Sequence, residues 1–243
     1  VFRKLDWKTE DGCTKCRPAV NYYLLVKYND DKYKNDKRSL LVNDRVFANI
    51  QKDGTYSVVP RIWGGLTSPQ ELKDMADIAV KYDVPTVKFT GGQRLDMLGV
   101  RKEQLEPMWK DLNDAGFVSG QAYAKGLRTV KTCVGNQWCR FGTQDSMQMG
   151  VDIEKMTWGS WTPHKFKIAV SGCPRNCAEA TIKDIGVIAV DSGWEIHIAG
   201  NGGIKVRVTD FFTKVATDEE LFHYIKAIMQ FYREDAYYLE RTA

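Results

Sequence analysis

No stretch of this 243-residue chain stays apolar for the roughly 20 residues that a membrane span requires. The opening residues, Val-Phe-Arg-Lys-Leu-Asp-Trp-Lys, have neither the apolar core nor the small-residue cleavage site of a secretory signal. These absences predict a cytoplasmic chain that touches no membrane. The start on Val1 suggests a piece of a longer polypeptide. No Gly-x-Gly-x-x-Gly leads from a strand into a helix, so the dinucleotide fingerprint is missing. There are no internal repeats and no low-complexity segments. Charge of one sign is also lacking: 35 basic against 31 acidic residues leave a net charge of +4, too balanced to argue for nucleic acid. The dense run Lys27–Arg38 mixes both signs and reads as a solvated linker. Histidine is scarce, and His164, His197 and His223 receive no role; His197 alternates with Ile196 and Ile198, which puts it on the outer face of a strand.

Cysteine is present in a pattern. All six fall into three close pairs: Cys13 with Cys16, Cys133 with Cys139, and Cys173 with Cys177. With no export signal, such pairs read as metal ligands rather than disulfides. Four thiolates suit a 4Fe-4S cubane, and Pro174 directly after Cys173 is a common neighbour of such ligands. The alternative is a Cys₄ zinc site. Zinc favours two to four residues between paired cysteines, so the five between Cys133 and Cys139 count against it.

Around these pairs the periodicity predicts a mixed chain. Asp53-Gly54 marks a hairpin between strands at Arg45–Ile50 and Thr55–Pro60. Ser68-Pro-Gln-Glu71 is a capping box opening a helix whose apolar face carries Leu72, Met75, Ala76 and Val80. A strand at 86–90 and a helix over about 102–114 complete a β-α-β-α-β order. Further on, Lys165–Val170 reads as a strand running into the Cys173 loop, and a helix is expected to begin at Cys177. Strands follow at Ile185–Val190 and Trp194–Ala199. Thr217-Asp-Glu-Glu220 caps a long helix with Leu221, Ile225, Ile228, Met229 and Tyr232 on one face.

The pattern C-x5-C then C-x3-C, with Gly135-Asn-Gln-Trp-Cys139 inside it, resembles the siroheme nitrite and sulfite reductases. The stretches Asn49–Gly65 and Thr90–Asp96 are similar to one subgroup, the large subunits of assimilatory NAD(P)H nitrite reductases. The resemblance runs from about residue 10 to the end. It implies an α+β fold: a ferredoxin-like half-domain at 45–125, then an α/β siroheme/4Fe-4S domain at 126–243. Residues 1–44 would be a remnant of a 2Fe-2S domain plus the charged linker, with Cys13 and Cys16 as orphaned thiols.

What the resemblance implies for function is a six-electron reduction of nitrite to ammonia. A sulfite reductase and a non-catalytic iron–sulfur electron carrier are the alternatives. Cys133, Cys139, Cys173 and Cys177 would hold the 4Fe-4S cluster, and Cys177 would also bridge to the siroheme iron. Siroheme is fringed with carboxylates, which arginine forks pair with well. Arg61, Arg128, Arg140, Arg207 and Asn201, beside the family's motifs, are the expected ring contacts. Lys165 and Lys167 match the family's anion-binding pair. Arg94 is the further candidate: the family's usual substrate arginine stands two residues earlier, where this chain has Gly92. In the full-length protein FAD, NAD(P)H and a 2Fe-2S cluster would feed electrons, with a small subunit and the upstream domains as partners. The lysine pair and the C-x3-C share one short segment, which implies a homodimer with shared sites.

Overall fold

The computed structural model describes residue 4 and residues 49–118, 126–160, 162–237 and 239–243. Cys13, Cys16, the mixed-charge run and residues 45–48 of the first expected strand lie outside the described residues.

The first unit opens with β1 (Asn49–Ile50) and β2 (Tyr56–Val58), paired antiparallel across the expected turn. The Asp53 carboxylate accepts the Thr55 N–H at 3.0 Å there. Helix α1 (Pro69–Lys81) begins at the capping box: Ser68 accepts from the Glu71 N–H at 3.1 Å, and the Glu71 carboxylate accepts from the Ser68 N–H at 2.7 Å. Its buried face is Met75, Ile78 and Ala79, an i, i+3, i+4 stripe. The expected face is corrected here, because Val80 is 77% exposed and Leu72 39%. Next come β3 (Thr86–Phe89) and β4 (Leu95–Val100), an antiparallel pair, and α2 (Leu105–Asp114). The sheet order is β1-β2-β4-β3. The unit is therefore β-β-α-β-β-α, not the expected β-α-β-α-β. The strand that sequence periodicity missed, β4, is interior to its sheet, and Leu95, Asp96 and Met97 are buried in succession, so no alternation betrays it. Val58, Met75, Met97, Met108 and Leu112 form this unit's core.

The second unit contains β5 (Gly126–Leu127), β6 (Lys131–Thr132), a single helical turn α3 (Gly135–Trp138) and α4 (Ser146–Thr157). Then follow β7 (Lys165–Phe166), β8 (Ile168–Ser171), β9 (Ile185–Val190) and β10 (Gly193–Ile198). The last elements are β11 (Asn201–Gly202), β12 (Val206–Arg207), β13 (Asp210–Val215) and α5 (Asp218–Asp235). The five-stranded sheet runs β13-β10-β9-β8-β6, with β6, β8 and β9 parallel. Helix α5 lays Leu221, Ile225, Met229 and Tyr232 on the sheet, with Ile228 beside them, as its sequence pattern predicts. No described helix is long and apolar enough to cross a membrane.

One carboxylate joins the two units. Glu154, on α4, is fully buried and accepts from Arg61 Nη1 at 2.6 Å and from the backbone N–H groups of Gly64 and Val130, each at 2.9 Å. Beside it, the Gln93 side-chain amide donates to the Thr132 carbonyl at 2.7 Å and accepts the Thr132 N–H at 2.8 Å. Gly65 makes room: at φ +73° an added Cβ would lie 2.6 Å from Gln93 Oε1. Removing one partner of a buried ion pair leaves the other charge uncompensated. Glu154→Ala is expected to lower the unfolding free energy by about 3–5 kcal/mol, and Glu154→Gln by less, as read by urea denaturation.

Candidate cofactor and anion site

The two cysteine pairs lie on loops that touch. Cys133 ends the run from β6, α3 occupies the interval to Cys139, and the chain then turns back so that the Thr143 N–H donates to the Gly172 carbonyl at 2.7 Å. In return the Gly172 N–H donates to Cys133 Sγ at 3.1 Å. Ser146 Oγ lies 3.2 Å from the same sulfur and donates to the Cys133 carbonyl. Asp145 anchors that serine by capping α4, accepting from the Met147 and Gln148 N–H groups. Gly172 is where the loops meet: an added Cβ would sit 3.0 Å from Ser146 Oγ and 3.1 Å from Gly135 Cα.

The donor set fits an iron–sulfur cluster. All four thiols are free of disulfides, with Cys173 buried, Cys133 and Cys139 half-buried and Cys177 exposed. An N–H pointed at a cysteine sulfur stabilises thiolate charge and is one of the contacts that tune such clusters. Among the described residues no three Cys, His, Asp or Glu side chains are drawn together around a single-ion position. A cubane asks for less convergence, since each thiolate meets its own iron. The helix expected from Cys177 is corrected. The chain turns, Glu179 takes a left-handed conformation at φ +57°, and only a 3-10 turn, Ala180–Ile182, follows. Asn176 enforces this by accepting the Ala180 N–H and donating to Thr181 Oγ1, each at 2.7 Å.

A cavity of about 190 Å³ lies beside these loops, lined by Arg94, Arg128, Lys131, Lys167 and Lys183 against one carboxylate, Glu179. Glu179 pairs with Lys131 at 3.0 Å and Lys183 at 3.2 Å. The Lys131 hydrogen bond holds the Glu179 carboxyl below its ordinary range. Burial, and then the charge of Lys165, pushes Lys167 below the usual lysine range. Lys165 is lowered by burial and then by Arg241 and Arg128. It does not itself line the cavity. Arg94 reaches the cavity by an unexpected route. Residues 91 and 92 form a turn rather than a strand, and Gln93 has φ +56°. The guanidinium folds over Gly92, with Nη1 2.5 Å from where a Gly92 Cβ would be. Arg94 therefore fills the space from which a side chain at position 92 would project. Five cations and one carboxylate give this small cavity a strongly positive lining, which favours an anion.

The remaining expected ring contacts lie elsewhere. Arg61 is committed to Glu154 and lies near the rings of Trp63 and Trp158, at 5.5 and 5.9 Å. Arg207 is tied down by the Ala199 carbonyl and Asp210, and Asn201 holds its own hairpin through Lys205 and Gly203. Arg140 stacks on Phe141 next to Cys139, and Arg175, between Cys173 and Cys177, covers the same ring at 3.7 Å. His164 accepts the Lys165 N–H through Nδ1, His197 meets Glu195 and Phe211, and His223 lies against Tyr224. Sequence reasoning missed Lys131, Lys183 and Glu179. Lys131 precedes Cys133 by two residues, a spacing that was available as a signal; Lys183 had none.

Comparison with known proteins gives the geometry its context. Residues 49–115 match the nitrite/sulfite reductase ferredoxin-like half domain, and residues 123–243 match the nitrite and sulphite reductase 4Fe-4S domain. The two matches divide the chain as its fold does, into a ferredoxin-like half domain and a 4Fe-4S domain of the reductase type. Over its whole length the chain is 57% identical to a NAD(P)H nitrite reductase of Bacillus subtilis, of which it spans 30%. An assimilatory-type sulfite reductase of Nitratidesulfovibrio vulgaris is 37% identical over 78% of this chain and 86% of its own length. The solved structure of the Mycobacterium tuberculosis NirA protein shares the fold, with a TM-score of 0.66 at 19% identity, over 81% of this chain and 39% of that one. The chain belongs to the nitrite and sulphite reductase family. It spans less than a third of the nitrite reductase relatives, namely 30%, 24% and 27% of their lengths.

Gly172→Ala is expected to wedge the two cysteine loops apart. Iron and acid-labile sulfide per chain should fall to well under half, with far-ultraviolet circular dichroism unchanged; full cluster content would contradict this reading of the loop contact.

Proposed function

We propose that this chain is the catalytic portion of an assimilatory nitrite reductase, reducing nitrite to ammonia with six electrons at a siroheme bridged to a 4Fe-4S cluster. The observation that carries the proposal is the placement of two touching cysteine loops beside a cavity with five cations and one carboxylate. When bound, siroheme and cluster supply the electrons that no side chain can. Cys133, Cys139, Cys173 and Cys177 hold the cluster, and the exposure of Cys177 leaves its sulfur open to a second metal centre. Arg94, Arg128 and Lys167 hold the anion, with Lys165 behind them, and the lysine ammonium groups carry protons to the cavity. Arg140 and Arg175 offer guanidinium groups beside the cysteine loops for ring carboxylates. FAD, NAD(P)H and a 2Fe-2S cluster in the full-length protein, together with a small subunit, deliver the electrons, and the whole works in the cytoplasm.

A visible spectrum of anaerobically purified protein tests this. Siroheme bands support it; a plain iron–sulfur shoulder or a featureless trace sinks it. Turnover with an artificial reductant then separates nitrite from sulfite as substrate. Lys167→Ala should leave the bands in place and raise KM for nitrite about ten- to hundredfold, the loss of one charge-assisted hydrogen bond.

A homodimer completes the site. The chain is extended from Lys165 through Ser171, a run of about 20 Å at roughly 3.3 Å per residue, before it bends into the Cys173 loop. A symmetric pair would lend the lysines of one copy to the siroheme of the other. The Cys177 loop brings Glu179 back to the cavity of its own copy. Mixing Lys167→Ala with Cys177→Ser subunits, at nitrite far below the raised KM so that neither parent turns over measurably, should restore turnover in the hybrid; no recovery in a hybrid of proven composition refutes shared sites.

A further inference from the structure

Residues 239–243 return to the fold. The Leu239 N–H donates to the Pro163 carbonyl at 3.1 Å, and the Tyr232 hydroxyl donates to the Glu240 carbonyl. Arg241 and Thr242 then reach Asp184, which is 1% exposed. Arg241 Nη2 meets Asp184 Oδ1 at 3.1 Å and Oδ2 at 3.2 Å, and Thr242 Oγ1 donates to Oδ1 at 2.6 Å. Asp184 Oδ2 also accepts the backbone N–H of Lys167 at 2.8 Å. One buried carboxylate oxygen is therefore shared by Arg241 and by a residue that lines the cationic cavity.

Left without Arg241, an ionised Asp184 would act on its lysine neighbours as a counter-charge, against the burial that pushes its carboxyl up. It would hold their protons in place and weaken their attraction for an anion. The charged groups around them come from every packed element. Lys165 is influenced by Arg241, Arg128 and Asp184, and Lys167 by Lys165, Lys183, Arg241 and Asp184. On α5, Tyr232 is kept un-ionised by burial and then by Asp184, and His164 is occupied by the Lys165 N–H. Arg241 is thus the cation that touches the carboxylate directly.

We propose that Arg241 is a positioning residue: clamped on Asp184, it cancels the buried negative charge behind Lys165 and Lys167 and so sets how readily the pair holds an anion and releases a proton. This rests on the cavity being the anion site of the proposed nitrite reductase. The sign is fixed by both neighbours. Arg241 lowers the affinity of each lysine for its proton and Asp184 raises it, so neutralising Arg241 moves both lysines toward tighter proton binding.

Trace acetylation of Lys165 and Lys167, followed against pH by peptide mass spectrometry in the cofactor-loaded full-length protein, reads this directly. In Arg241→Gln the labelling curves should move to higher pH, with several-fold less labelling at one mildly alkaline pH. The alkaline limb of nitrite turnover should move the same way. Arg241→Lys, which keeps the charge, should stay close to the unaltered protein. Arg241→Met serves as a second neutral variant should Arg241→Gln not fold. Unmoved lysine curves in a folded neutral variant overturn the proposal, as does a shift in Arg241→Lys as large as in Arg241→Gln. Labelling needs no turnover, so missing siroheme bands or missing nitrite reduction would refute the function while the curves still judge Arg241.

Discussion

Everything in this site depends on a carboxylate that meets no substrate. Glu154 accepts Arg61 and the Gly64 N–H from the first unit and the Val130 N–H from the second, at the centre of the contact between them. Val130 directly precedes Lys131, and Cys133 lies just beyond. The position of a cavity lysine and of a cysteine loop is therefore referred to the same buried anchor as the Arg61–Gly64 turn. Burial pushes the Glu154 carboxyl up, and Arg61 pulls it back. Such a charge is tolerated inside a protein only when nearly all of its hydrogen-bonding capacity is met, as it is here.

The two halves of the site are built differently. The cysteine loops are set by backbone geometry: Gly172 touches Ser146 and Gly135, and its N–H meets a sulfur. The cavity is set by charge, with long side chains from the hairpin turn after β3, the strand β6 and the segments flanking β8 and β9 converging on one hollow. Backbone contacts fix ligands for a rigid cluster. In the proposed reductase, Lys167 and Lys183, whose proton affinity burial lowers, suit a small anion that must arrive, take up protons and leave.

Much of this was legible from residues. Both capping boxes stand where Ser68 and Thr217 announced them, and the α5 stripe matches its 3.6-residue period, because local capping and amphipathicity are short-range signals. The cysteine spacing also marked, for the same reason, the two loops that the fold brings into contact. Interior elements were harder: β4 is buried without alternation, and the α1 face was misjudged by its exposed Val80. Arg61 and Arg207 were placed by adjacency to motifs, yet the Arg61 guanidinium pairs with Glu154, 93 positions away, and the Arg207 guanidinium with Asp210, three residues on. Asp184 and Arg241, 57 residues apart, are likewise invisible to any local rule.

The Gln93 amide has a consequence of another kind. Strand β6 is the last in its sheet, and Gln93 presents to Thr132 one donor and one acceptor, as the backbone of a neighbouring strand would. A single side chain from the first unit thus seals the rim of the second. Detached from that unit, the cysteine-bearing sheet would expose an unpaired edge, a ready template for another chain to add a strand. The half-domain is therefore also a guard against aggregation.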